Sequence, residues 1–248
     1  MSAFPLPWDF ALILLILAVI VPWRGAVKMR QLFARPHLDT ADRLALYAST
    51  MAFQWITVAV VLWRAQAHNL SLHDLAIALP SPPLIIAAAV GLSFVLLLYQ
   101  LAGLRRFARL PNARGTFLFH MATKILPQNL VESMAFSALV GTVAICEEIL
   151  YRGFVLVVIA NATHGSLFAG AFVSTLFFAV AHAYQGRRGI MLTFMIGLLF
   201  AVVRLWTGSL IPSMAAHLFT DLVAGLAAPR VLKQAWEHNS LREDHPQP

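Results

Sequence analysis

"ICEEILYRGF", residues 145–154, sets Glu147, Glu148 and Arg152 inside a stretch that otherwise reads as membrane-spanning. A charged side chain near the bilayer centre costs at least ~2.5–3.5 kcal/mol on insertion scales. Three ionisable groups within about two helical turns therefore need partners, a function, or both. The rest of the chain supports the membrane reading. Of its 248 residues, 60% are hydrophobic and only 12% charged, against about 25% charged in a soluble domain, and the mean hydropathy is +0.75. The expected fold is an all-α, polytopic transmembrane helical bundle of seven to eight spans. A single integral membrane domain, residues 1–248, is expected, with three N-terminal spans in 1–110 and a core in 130–228. The lone cysteine, Cys146, allows no intramolecular disulfide. Its apolar and acidic neighbours are a poor setting for a nucleophilic thiolate. The start, MSAFPLPWDF, has no positive n-region and no A-x-A site follows it, so no cleavable signal peptide is expected.

About 20 apolar residues are needed to cross the hydrocarbon core as a helix. Candidate spans fall near 8–23, 44–63, 84–103, 138–160, 165–185, 189–206 and 210–228. Residues 116–137 contain Lys124, Pro127 and Glu132 and read as an amphipathic, surface-lying helix. The connecting loops alternate in charge. The first carries Arg24, Lys28, Arg30, Arg35 and Arg43, the third Arg105, Arg106, Arg109, Arg114 and Lys124, the fifth Arg187 and Arg188, and the tail Arg230, Lys233 and Arg242. The intervening loops are almost free of Lys and Arg. The formal net charge of +7 is accordingly read as an orientation signal. It places the N-terminus outside and the C-terminus in the cytosol, and no nucleic-acid partner is expected. The compact loops suit a bacterial inner-membrane protein. The basic stretches at 24–43 and 105–124 are suited to anionic lipid or an acidic partner.

The polar residues within spans concentrate in the last four: Glu147, Glu148, Arg152, His182, His217 and Asp221. Span placement brings them to one level, in the cytosolic half of the membrane. Glu148 and Arg152 are four residues apart, share a helix face and can neutralise each other. They read foremost as a structural pair. Glu147 points roughly 100° round the helix from Glu148, which frees one carboxylate for chemistry. His217 and Asp221 are also four apart, so Asp221 can hold the ring and fix its tautomer. Phe178 lies one turn before His182. Gln54 and Gln100 read as interhelical hydrogen-bonders.

The pattern resembles a known family. Glu147, Glu148 and Arg152 fit E-E-x-x-x-R, Phe178 and His182 fit F-x-x-x-H, and His217 and Asp221 fit H-x-x-x-N/D. In that order, on successive membrane helices, these motifs are similar to those of the CPBP family of intramembrane proteases. That family includes the CAAX prenyl endopeptidases of the Rce1 type and bacterial relatives. The resemblance covers about residues 130–228. It implies a glutamic-type endopeptidase that uses no metal or other cofactor. Glu147 and His182 would activate a water, His217 and Asp221 would form the oxyanion side, and Glu148, Arg152 and Phe178 would support them. The substrate would be a membrane-associated protein or peptide presented from the cytosolic side. Chemistry supports the same outline, because a carboxylate in a low-dielectric site is a better base near neutral pH. Asp221 stands where asparagine is the alternative. An aspartate donates a hydrogen bond only when protonated, so it is expected to orient His217.

Three other functions fit the composition. A zinc protease would use Glu and His ligands, although no H-E-x-x-H occurs. A proton-coupled transporter would use the same residues as a relay, although no internal repeat is visible. A scaffold or immunity-type protein would keep the motifs without catalysis.

Overall fold

Backbone N–H and C=O groups in a bilayer have no water to bond, so spanning segments are forced into helices or closed barrels. The computed structural model describes residues 6–108 and 117–226, and among them every regular element is helical. The sequence-derived positions Arg109, Arg114, Arg230, Lys233 and Arg242, and residues 227 and 228 of the seventh expected span, lie outside the described residues. Helix α1 is Trp8–Ala34, α2 is Thr40–Ala67, α3 is Pro82–Ala108 and α4 is Phe117–Ile125. Helix α5 runs over residues 130–162 as Leu130–Glu147, a π-helical segment Glu148–Val155, and Leu156–Ala162. Helix α6 is Leu167–Ala181, α7 is Gly186–Thr207 after a short 3₁₀ turn at Ala183–Gln185, and α8 is Ile211–Leu226.

A helix thus stands at each of the seven expected span positions, and the molecule is an all-α membrane bundle. Four helices are long and apolar enough to cross by length and composition: Trp8–Ala34, Thr40–Ala67, Pro82–Arg106 and Ala183–Thr207. The boundaries differ from the sequence reading in informative ways. The basic stretch at 24–43 is mostly the end of α1, and only residues 35–39 link it to α2. A π-turn at Ile16–Ile20 lies just before Pro22, which lacks the N–H that would continue α-helical bonding.

Residues 116–137 do not form one surface helix. Helix α4 has nine residues, about 14 Å of rise, too little to cross. Pro127 follows it, and Asn129 then caps α5 by accepting from the Glu132 amide at 2.9 Å. An Asn followed three residues later by Glu is a helix-start signature. The fourth span therefore begins at Leu130, eight residues earlier than expected. Glu132 is fully buried instead of lying on a surface. Its carboxylate accepts from Thr40 Oγ1 at 2.6 Å, from Asn129 Nδ2 at 2.9 Å and from the Gln128 amide at 2.8 Å, and Arg43 lies 3.5 Å away. This ties the start of α2 to the start of α5. Arg43 Nε and the Tyr47 hydroxyl donate to the Lys124 and Ile125 carbonyls and pin the end of α4.

Helix α5 is central. Every residue from Glu148 to Val155 is buried, and α5 packs on α2 and α6. A Cβ at Gly170 would lie 2.4 Å from the Leu156 carbonyl oxygen, so only glycine permits this approach of α6 to α5. At the end of the bundle remote from His182, the link 68–81 folds inward and buries Leu75 and Ala76. The Leu210 amide donates to the Ala76 carbonyl at 2.9 Å, and Ser209 Oγ donates to that of Ala78 at 2.7 Å. Within this link, the Ser71 hydroxyl and amide hold the Asp74 carboxyl below the usual carboxylate range.

Helix α6 is short: its 15 residues rise about 22 Å, less than the ~30 Å hydrocarbon core, and His182 follows its last turn.

Candidate active site

Five helices converge where the α-helical part of α5 gives way to its π-segment. Wider turns of this kind recur at functional sites. Glu148 opens the segment and Arg152 lies within it. Both are fully buried, and Arg152 Nη1 donates to Glu148 Oε1 at 2.8 Å. The guanidinium also lies 3.9 Å over the Phe178 ring and 5.4 Å from the Phe200 ring. A buried ion pair needs such extra contacts, because the mutual attraction alone rarely repays desolvation.

Phe178 is the organising ring. Besides Arg152, it meets His182 at 4.7 Å, Tyr151 at 5.4 Å and His217 at 6.2 Å between ring centres. His182 caps the end of α6, and its Nδ1 sits 2.8 Å from the Phe178 carbonyl oxygen. A carbonyl only accepts, so this nitrogen carries the proton and Nε2 is left as the acceptor.

His217 reaches in from α8. Its Nδ1 is 3.3 Å from Glu148 Oε1. Its Nε2 is 3.5 Å from Asp221 Oδ2 and 4.0 Å from Glu147 Oε2. Asp221, expected to hold the ring, lies beside Nε2, and a second carboxylate meets the ring as well. Glu148 forms the hydrogen bond at Nδ1, and Asp221 flanks the other nitrogen. Glu148 Oε1 thus meets both Arg152 and His217.

Glu147 faces two cavities. One, of about 280 Å³, is mainly apolar and extends between α1 and α2 past Leu17, Val21, Leu46 and Leu139. The other, of about 340 Å³, holds His217, Thr220 and Asp221. Both share Thr50, Gln54, Val143, Glu147, His182 and Tyr184. Glu147 Oε1 accepts from Gln54 Nε2 at 3.2 Å. Its Oε2 is buried, and among the described residues it has no hydrogen-bond partner. A desolvated carboxylate oxygen without a donor is costly; Glu148 Oε2 is likewise buried without a donor among the described residues, but of the two glutamates only Glu147 lines the cavities.

Four participants were not read as site residues from the sequence. Gln54 was read as an interhelical hydrogen-bonder; it is one, but its partner is Glu147. The other glutamine so read, Gln100, donates to the Thr220 carbonyl at 2.9 Å. Thr50 and Tyr184 carry no motif. Gly197 on α7 is silent in sequence, yet a Cβ there would lie 2.8 Å from Arg152 Nη2 and 3.1 Å from the Phe178 ring. Gly197→Ala should therefore destabilise the protein by about 1–3 kcal/mol through overpacking. A lowered thermal unfolding midpoint of the detergent-purified protein would register it, and an unchanged midpoint would show that Arg152 can move aside. Among the described residues no group of three or more His, Cys, Asp or Glu side chains is arranged to hold a metal ion.

One comparison matches part of the chain. Residues 128–223 match the family Type II CAAX prenyl endopeptidase Rce1-like. The matched segment runs from the cap of α5 to just past Asp221 and contains Glu147, Glu148, Arg152, Phe178, His182 and His217. No curated protein and no solved structure matches the chain. At the coarse level the family match supports a protease-type hydrolase, and with the apolar helices it supports an integral membrane protein. Helices α1 to α4 lie outside the match, yet α1 and α2 supply one wall of the apolar cavity and the amide that bonds Glu147.

Proposed function

We propose that this protein is an intramembrane endopeptidase of the glutamic type, with Glu147 as general base. The observation that carries the reading is that Glu147, whose Oε2 has no hydrogen-bond partner among the described residues, lines both cavities together with His182. A water held there donates one hydrogen to Glu147 Oε2 and the other to His182 Nε2. Its oxygen adds to the substrate's carbonyl carbon while Glu147 takes the proton. The tetrahedral oxyanion accepts from N–H of the doubly protonated His217 ring. One such donor is worth ~2.7–4 kcal/mol in known cases. Glu147 then passes its proton to the leaving nitrogen as the C–N bond breaks, leaving a new carboxyl and a new amino terminus.

Glu148, Arg152 and Phe178 hold His217 and His182 in place, and Asp221 orients His217 from the Nε2 side. The substrate class is a membrane-associated protein or peptide. It enters from the basic face, which the distribution of Lys and Arg assigns to the cytosol, with the N-terminus outside in a bacterial inner membrane. The test compares peptide termini in membranes holding wild type or Glu147→Ala at matched abundance. Termini present only with wild type are expected and would name the substrate. Identical termini, where wild type produces its phenotype, would favour a scaffold or transporter.

A further inference from the structure

The turn after α6 brings one more polar group to the junction of the two cavities. His182 ends α6, and the 3₁₀ turn Ala183–Gln185 leads into α7 through Gly186, at φ +75°. That backbone conformation is costly for a residue with a side chain and free for glycine. Tyr184 stands in the middle of the turn and lines both cavities together with Glu147 and His182. Its ring centre lies 5.9 Å from that of His182. The ring also packs on α1 at Gly25, where an added Cβ would lie 3.7 Å from Tyr184 Cδ1.

Two hydroxyl-bearing side chains line both cavities, Thr50 and Tyr184. Thr50 Oγ1 donates to the Leu46 carbonyl at 2.8 Å, so its proton is spent on its own helix. The Tyr184 hydroxyl accepts from Gln185 Nε2 at 3.4 Å, and among the described residues it donates to none. Gln185 has room to fold back over α7 because residue 189 is glycine: a Cβ there would lie 2.3 Å from Gln185 Cβ and 3.0 Å from its Oε1. A tyrosine hydroxyl is protonated at neutral pH and can donate. Glu147 and Asp221, the carboxylates nearest His217 Nε2, both act on this hydroxyl electrostatically. The oxyanion of the proposed hydrolysis has a single donor on His217, because Nδ1 is turned to Glu148 and only Nε2 can face substrate. Tyrosine hydroxyls are among the groups that complete such sites.

Building on the endopeptidase reading, we infer that Tyr184 is a further catalytic residue whose hydroxyl donates a hydrogen bond to the tetrahedral oxyanion beside His217 Nε2, and that Gln185 positions it. No proton leaves the phenol. The bond strengthens as charge moves onto the substrate oxygen, so it acts on turnover more than on substrate binding. Gln185 donates to the phenol oxygen, which polarises the O–H and makes it a better donor. The turn thus supplies two groups: His182 for the attacking water, and Tyr184 for the oxygen that becomes charged.

The test uses the full chain in proteoliposomes, with Glu147→Ala as the control for proteolysis. A proteome-derived peptide library is the probe. The sequence cut fastest is then made as a peptide and as an aldehyde ending at the cut, whose hydrate is tetrahedral. Tyr184→Phe should lower kcat by about 10²–10³-fold and weaken inhibition by the aldehyde by about tenfold or more, with KM nearly unchanged. The thermal unfolding midpoint should stay as in wild type, because the ring keeps its place against His182 and Gly25. Gln185→Leu should lower kcat by roughly 3–10-fold and add nothing in combination with Tyr184→Phe, as expected of residues acting through one bond. Wild-type kcat and aldehyde inhibition in Tyr184→Phe would overturn the assignment and leave the endopeptidase reading standing. A raised KM at unchanged kcat would make the ring a packing surface for substrate, and would overturn it too. No cutting beyond that of Glu147→Ala would overturn both readings. If Tyr184→Phe does not fold, Gln185→Leu decides: kcat and aldehyde inhibition should fall together, and wild-type values of both overturn the assignment.

Discussion

Glu147→Gln should reduce turnover by about 10²–10⁴-fold, the usual contribution of a positioned general base, while leaving the protein as stable as wild type. The amide is isosteric and can still meet Gln54, so packing around α2 and α5 is preserved. It cannot take a proton from water, so the loss falls on kcat and leaves KM nearly unchanged. The check is single-turnover cleavage of whichever substrate the terminus comparison names, alongside thermal unfolding in the same detergent. Retention of more than a tenth of the wild-type rate would remove Glu147 from the role of base.

The second large effect is on folding. Arg152→Leu should cost about 3–5 kcal/mol, because removing one partner of a buried pair leaves the other charge uncompensated. Glu148 would keep only His217 within hydrogen-bonding reach, and Phe178 would lose the guanidinium on its face. Replacing both ends, Glu148→Gln with Arg152→Leu, should recover part of that stability and little activity, since His217 would lose its charged partner. Thermal and denaturant unfolding of the two variants make the comparison. Equal stability of Arg152→Leu and wild type would mean that the ion pair serves catalysis alone.

Much of this was legible in the chain itself. The seven apolar segments stand out because a bilayer demands about 20 apolar residues per crossing, and a helix stands at each. Glu147, Glu148, Arg152, His182, His217 and Asp221 stood out because charge in oil is expensive wherever it occurs. What escaped was everything that depends on distance between helices. Gln54 looked like any interhelical glutamine. Lys28 looked like one more positive residue of a cytosolic loop, although it lies on α1 at the wall of a cavity. Gly197 carried no signal, because a missing side chain matters only when another group fills the space. The start of α5 was readable in principle from Pro127 and the Asn129-to-Glu132 spacing, but hydropathy alone placed it eight residues late.

By itself, then, the sequence determined that the protein lies in a membrane as an all-α bundle and which few side chains carry unusual desolvation costs. These are properties of composition and of spacing along one helix, and they need no partner to be true. Only the tertiary structure showed that Glu148 Oε1 meets His217 as well as Arg152, and that Gln54 and two cavities meet at Glu147. Spacing along one helix cannot express those contacts, because they depend on how α2, α6 and α8 close around α5.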